Sequence, residues 1–129
     1  MDVNQLAAAI ERELQSYSDT VSVKIGEAVE TVANEVNDEI KRRVTFRQPT
    51  GKYVKAFRIK KLNTGSKQNH SRVWHVLGPY YRLTHLLEHG HALRNGGRAR
   101  AFPHIRYGEE LAERRMQELS EKAVQDAGR

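Results

Sequence analysis

Cysteine is absent from this chain of 129 residues, and with it go disulfides, thiolate metal sites and a cysteine nucleophile. Proline is scarce, at three residues, and there is no low-complexity tract and no internal repeat. No apolar run approaches the length of a membrane span, and the N-terminal stretch lacks the basic-then-apolar plan of a secretory signal. These absences lead us to expect a soluble protein made in a reducing cytoplasm, with no membrane contact. Scarcest of all is negative charge in the middle of the chain. Between 46 and 108, Glu88 stands alone against 13 basic residues.

What is present fits one domain spanning 1–129. A 14.8 kDa chain can bury about two-thirds of its unfolded surface and needs no covalent staple to fold. The overall charge of +6 is uneven. Residues 1–45 carry 5 basic and 9 acidic side chains, a net of −4; 46–108 carry +12; and 109–129, with 4 basic and 6 acidic, carry −2. A strongly basic middle lies between two acidic ends. Such a layout suits either a polyanionic partner or copies of the chain attracting one another, acidic end to basic middle.

Apolar residues recur at spacings of three and four through Val3, Leu6, Ile10, Leu14, Tyr17, Val21, Ile25, Val29, Val32, Val36, Ile40 and Val44. That stripe predicts a helical segment over 1–45, with Asp2 and Gln5 forming a capping box. Unbroken, it would be about 60 Å long. The weak helix formers from Ser16 to Val23 predict a break or kink there, giving a short leading helix and a main one to about Val44. The stretch from Phe46 to Gly51, with Pro49, ends it.

A β-hairpin is predicted over 52–77. Tyr53, Phe57 and Ile59 take one face of the first strand, and Lys52, Arg58 and Lys60 the other. Asn63 to His70 forms a polar loop. In the second strand Val73 and Leu77 oppose Trp74 and Val76, so one face meets the core and the other a second surface. A short helix over 80–90 closes on Gly90 as a left-handed cap. The segment 91–105 is a basic loop, in which Asn95-Gly96 favours a small ribbon with arms near 91–94 and 97–102. A C-terminal helix over 109–127 begins at Glu109 and Glu110. The order gives an α+β fold.

The chemistry-bearing residues are few. His85 and His89, four apart on a helix, could pair at a zinc ion, with His91, Glu88 and His104 nearby. Leu86, however, occupies the position where a metalloprotease places its glutamate. Hydrogen bonds to backbone around Gly90 are the better reading. Glu88 has no second carboxylate near it in sequence to share acid and base roles. It reads as an internal counter-ion for Arg94, Arg98, Arg100 or a histidine. Arg94, Gly96, Gly97, Arg98 and Arg100 lack the plan of a phosphate-binding loop. Tyr53 and Phe57 on a basic strand suggest base stacking, yet the aromatic and basic groups alternate to opposite faces.

Several motifs occur together in order: Thr50-Gly51-Lys52-Tyr53, then Arg58-Ile59-Lys60-Lys61, then the run Tyr81 to His91. Asn95-Gly96-Gly97-Arg98 and Pro103-His104-Ile105 follow, ahead of an acidic helix. From about Ala28 to Ala123 this resembles the small head–tail joining, or tail-completion, proteins of long-tailed bacteriophages and prophages, often labelled minor capsid proteins. Two positions depart from the family pattern: Tyr107-Gly108 stands where a proline is usual, and Phe46-Arg47-Gln48-Pro49 leads into Thr50-Gly51.

The resemblance implies an α+β fold, with a long N-terminal helix and a C-terminal helix packed on a small antiparallel sheet. It implies a structural virion protein at the head–tail junction, with no enzymatic activity, catalytic residue, cofactor or metal. Its partners would be further copies in a neck ring and the neighbouring head-connector and tail-tube or tail-terminator proteins, around the path of the DNA. Thr84, His85, Glu88, Gly90, Gly97, Arg98, Pro103 and His104 become framework or ring-contact positions. Lys52, Arg58, Lys60, Arg94 and Arg100 are the candidates for facing DNA. The alternative reading is a basic nucleic-acid-binding module.

Overall fold

A computed structural model describes residues 2–46, 51–62 and 70–128. The first element is α1 (Val3–Arg42), and the capping box opens it: Gln5 N donates to Asp2 Oδ1 (2.8 Å) and Asp2 N to Gln5 Oε1 (2.9 Å). Contrary to the expected break, α1 is continuous through 16–23. Thr20 Oγ1 donates to the Ser16 carbonyl (2.9 Å) and Gln15 to Asp19 (2.9 Å), so these polar side chains bond along the helix instead of interrupting it. From Tyr17 onward the helix also gains a neighbour, since the Tyr17 hydroxyl reaches the Val124 carbonyl (3.5 Å). Weak propensity amounts to tenths of a kcal/mol per residue, about what tertiary packing overrides.

That neighbour is α4 (Ile105–Ala127), which runs antiparallel to α1. Contacts between Gly108 and Ile40, between Arg115 and Glu35, and between Val124 and Tyr17 set the direction. A Cβ on Gly108 would lie 2.7 Å from Ile40 Cδ1 and 3.1 Å from Val36 Cγ1, so the absent side chain sets how closely the helices approach. Ala28 and Ala123 are likewise buried. α4 starts at Ile105, four residues before the expected Glu109, because its first turn is capped from another element, as described below.

Between the helices the chain forms α2 (Lys52–Lys55), β1 (Phe57–Lys61), β2 (Arg72–Val76), α3 (Tyr81–His89), β3 (His91–Ala92) and β4 (Arg98–Ala99). The predicted first strand is therefore corrected at its start. Gly51 enters at φ 67°, and 52–55 make a helical turn. Tyr53, on that turn, meets Phe57, the first residue of β1, with ring centroids 5.1 Å apart and near-perpendicular, so the two are not alternate residues of one strand. β1 and β2 pair antiparallel with Phe57 opposite Val76 and Ile59 opposite Trp74. Val73 and Leu77 stay exposed on the outer face. Most of the polar loop expected over 63–70, and the approach through 47–50, lie outside the described residues.

The Asn95-Gly96 signal does produce a ribbon, His91 pairing with Ala99 and Ala92 with Arg98, with shorter arms than expected. Of Asn95 and Gly96 only the glycine takes a positive φ, of 90°, and the turn from Leu93 to Gly97 is closed by Leu93 N donating to the Gly97 carbonyl (2.7 Å). The core gathers where α1 ends. Ile40, Tyr53, Ala56, Phe57 and Val76 are buried, with Val36, Phe46, Trp74 and Leu87 packed around them. Trp74 satisfies its indole by donating to Asn37 Oδ1 (3.0 Å).

Candidate functional site

Glu88 links the last turn of α3 to the first turn of α4. One carboxylate oxygen accepts from the backbone N–H groups of His104 (2.8 Å) and Ile105 (2.9 Å), and the other from Arg106 (3.1 Å). Three of the N–H groups left open at the start of α4 are thereby satisfied by a side chain sixteen to eighteen residues away. Burial pushes the Glu88 carboxyl upward, but the three backbone donors outweigh it and hold the group below its ordinary value. The lone acid of the basic middle is thus a helix cap. Of the partners expected for it, His104 Nδ1 lies at 3.2 Å, and none of Arg94, Arg98 and Arg100 pairs with it.

His104 is wholly buried. Its Nδ1 faces two acceptors, the Phe102 carbonyl (2.9 Å) and Glu88, so this nitrogen carries a proton. Nε2 lies 2.8 Å from the Tyr53 hydroxyl, which also contacts Thr84 Oγ1 (3.1 Å). Burial, with the Glu88 carboxylate nearby, raises the Tyr53 hydroxyl above its ordinary value and keeps it neutral. Phe46, Tyr53 and His104 form a mutual edge and tilted ring cluster at centroid distances of 5.6–5.8 Å. The result ties α2, α3 and α4 together.

The structure divides the eight motif residues predicted as framework or contact positions. Thr84, Glu88 and His104 lie in this buried connection, and Pro103 precedes it, half-buried. Gly90 supports it from the side. At φ 71° and ψ 175° its backbone is extended on the positive side, not the left-handed helical cap expected, and an added Cβ would meet the Ala99 carbonyl at 2.7 Å. His85, Gly97 and Arg98 are exposed. The His85 and His89 rings face each other at 4.8 Å, and among the described residues no group of three metal-ligating side chains converges.

The basic candidates fall on separate elements. Lys52 is exposed on α2, while Arg58 and Lys60 share the outer face of β1 with Val73 and His75 of β2. Arg58 Nη1 is held by the carbonyls of Lys55 (2.6 Å) and Phe57 (2.8 Å). Arg94 sits in the ribbon turn, and Arg100 lies over the Phe102 ring at 5.5 Å.

His70, which the sequence places only at the end of the polar loop, lies against α1. Ser22 Oγ is 3.2 Å from its ring, and a Cβ on Gly26 would be 2.9 Å from it. A glycine inside a helical stripe was the available signal. Sequence reading missed an open apolar groove of about 590 Å³ between α1, α4 and the inner face of the hairpin. Ile25, Val29, Val36, Ile59, Trp74 and Met116 line it.

Among the described residues no helix is long and apolar enough to cross a membrane. No curated protein and no solved structure matches the chain. Residues 8–90 match the family model described as "Bacteriophage HK97-gp10, putative tail-component", a span that includes the Tyr81–His89 helix and stops before Gly97-Arg98 and Pro103-His104-Ile105. With well over half of its length matched, the chain belongs to the HK97-gp10-like bacteriophage tail-component family.

Proposed function

We propose that this chain is a tail-completion protein, a non-enzymatic part of the neck ring that joins head to tail in a tailed phage or prophage. Family membership supports a structural role in the virion. The observation that carries the finer reading is the N-terminal third of α1, where Val3, Leu6, Ile10 and Leu14 stand at least half exposed on one stripe. A helix projecting such a stripe beyond its own core is built to be covered by other protein. The segregated charge gives the same reading, since acidic helices of one copy can meet the basic middle of the next.

In this role the partly buried Thr84, Glu88, Gly90 and Pro103, with the fully buried His104, hold the shape. The exposed His85, Gly97 and Arg98 are left to touch the ring neighbour or the adjoining connector and tail proteins. Lys52, Arg58, Lys60, Arg94 and Arg100 would contact the passing DNA without reading its sequence, as phosphate contacts do. Electron microscopy of the parent particle after deletion of this gene tests the proposal. Separate heads and tails are expected; complete joined particles would contradict it.

A further inference from the structure

We infer that the N-terminal third of α1 from one copy docks in the apolar groove of the next copy. This rests on the neck-ring reading and names the contact that would close the ring. The two surfaces match in three ways. Their lengths agree: the stripe from Val3 to Tyr17 spans about 21 Å of helix, and the α1 wall of the groove from Ile25 to Ile40 spans about 22 Å. Their chemistry agrees: Val3, Leu6, Ile10, Leu14 and Tyr17 step by three and four, the pattern by which a helix anchors in a hydrophobic groove.

Their charges are opposite. Residues 2–20 hold four acidic side chains against the single base Arg12, while the inner face of the hairpin, where Ile59 pairs with Trp74, carries Lys61 opposite Arg72 and no acid. Arg72 lines the groove itself, and the acidic Glu109 stands among the α4 residues of the lining. Glu11 and Glu13 lie on either side of the Ile10–Leu14 stripe, so a docked helix brings one of them toward the hairpin wall. Stripe and groove occupy different parts of one molecule, which makes the contact head-to-tail and able to propagate from copy to copy.

The chain's lack of cysteine makes the test direct. Ile10→Cys and Ala112→Cys place one thiol on the stripe and one on the α4 wall of the groove, and both native residues are accessible or partly so. A short bismaleimide applied to assembled particles carrying both substitutions should give a ladder of covalent multimers. Particles carrying either substitution alone should give none. Adding Leu14→Asp to the double variant should abolish the ladder while the purified chain keeps its helical circular dichroism.

Dimers from Ile10→Cys alone would show the projecting helices pairing with each other and would overturn the proposal. So would a double variant that remains monomeric in joined particles. Joined particles after gene deletion would instead remove the neck reading and leave the cross-linking result standing.

Discussion

The two ends of α1 carry the same apolar period and meet opposite fates. Toward its C-terminal end Ala28, Val32 and Ile40 are buried against α4 and the hairpin, with Ile40 2% exposed. Toward its N-terminal end Val3 is 81% and Leu14 62% exposed, although the spacing is unchanged. Periodicity therefore specifies a face and says nothing of what will cover it. α4, at 23 residues, reaches only as far as Tyr17, and the stripe before that point is left without an intramolecular partner among the described residues.

The sharpest way to break this contrast is truncation at matched positions. Ile40→Ala should cost about 3 kcal/mol by loss of buried side chain and residual cavity. Leu14→Ala should cost under about 0.5 kcal/mol, as exposed substitutions do. Urea unfolding of the isolated chain measures both. A Leu14→Ala penalty equal to that of Ile40→Ala would mean the projecting helix is already covered.

Next in size is the cap that fixes the body. Glu88→Ala should cost about 2 kcal/mol, since it strands three N–H groups at the start of α4. The same carboxylate predicts acid sensitivity. Glu88 lies below its ordinary value of 4.5 for the reasons given, Glu35 through its hydrogen bond from Arg115, and Glu39 through that from Arg43. Depressed carboxyls stabilise the fold fully above that ordinary value, and their contribution is lost as pH falls through the lower folded values. Melting temperature should drop below about pH 4.5, and less steeply in Glu88→Ala, whereas a pH-independent profile would contradict the cap.

The smallest effect belongs to the partly exposed pair of Arg115 with Glu35, at 2.9 Å. Glu35→Ala should cost about 0.5–1 kcal/mol, shrinking with added salt.

Much of the body was legible from local signals. Asp2 and Gln5 marked the start of α1, alternation marked a hairpin over 52–77 whose strands prove to be 57–61 and 72–76, and Asn95-Gly96 marked the ribbon. Two of the errors share a cause, which is information held far away in the chain. Continuity through 16–23 draws on α4, and the start of α4 at Ile105 depends on a side chain from α3. The helical turn at 52–55 escaped because Tyr53 and Phe57 fit a period of four as well as a strand face. Of the candidate site, the motif residues stand out as a group in the sequence, but their division into enclosed and exposed sets required the fold.

Amide hydrogen exchange along α1, compared between the isolated chain and purified particles, tests the central claim most directly. In the isolated chain, amides of 25–42 should be protected and those of 3–16 should exchange rapidly, because the latter lack packing partners. In the particle, 3–16 should become as protected as the rest of the helix. Rapid exchange of 3–16 in both states would contradict the claim that this stretch is the chain's docking element.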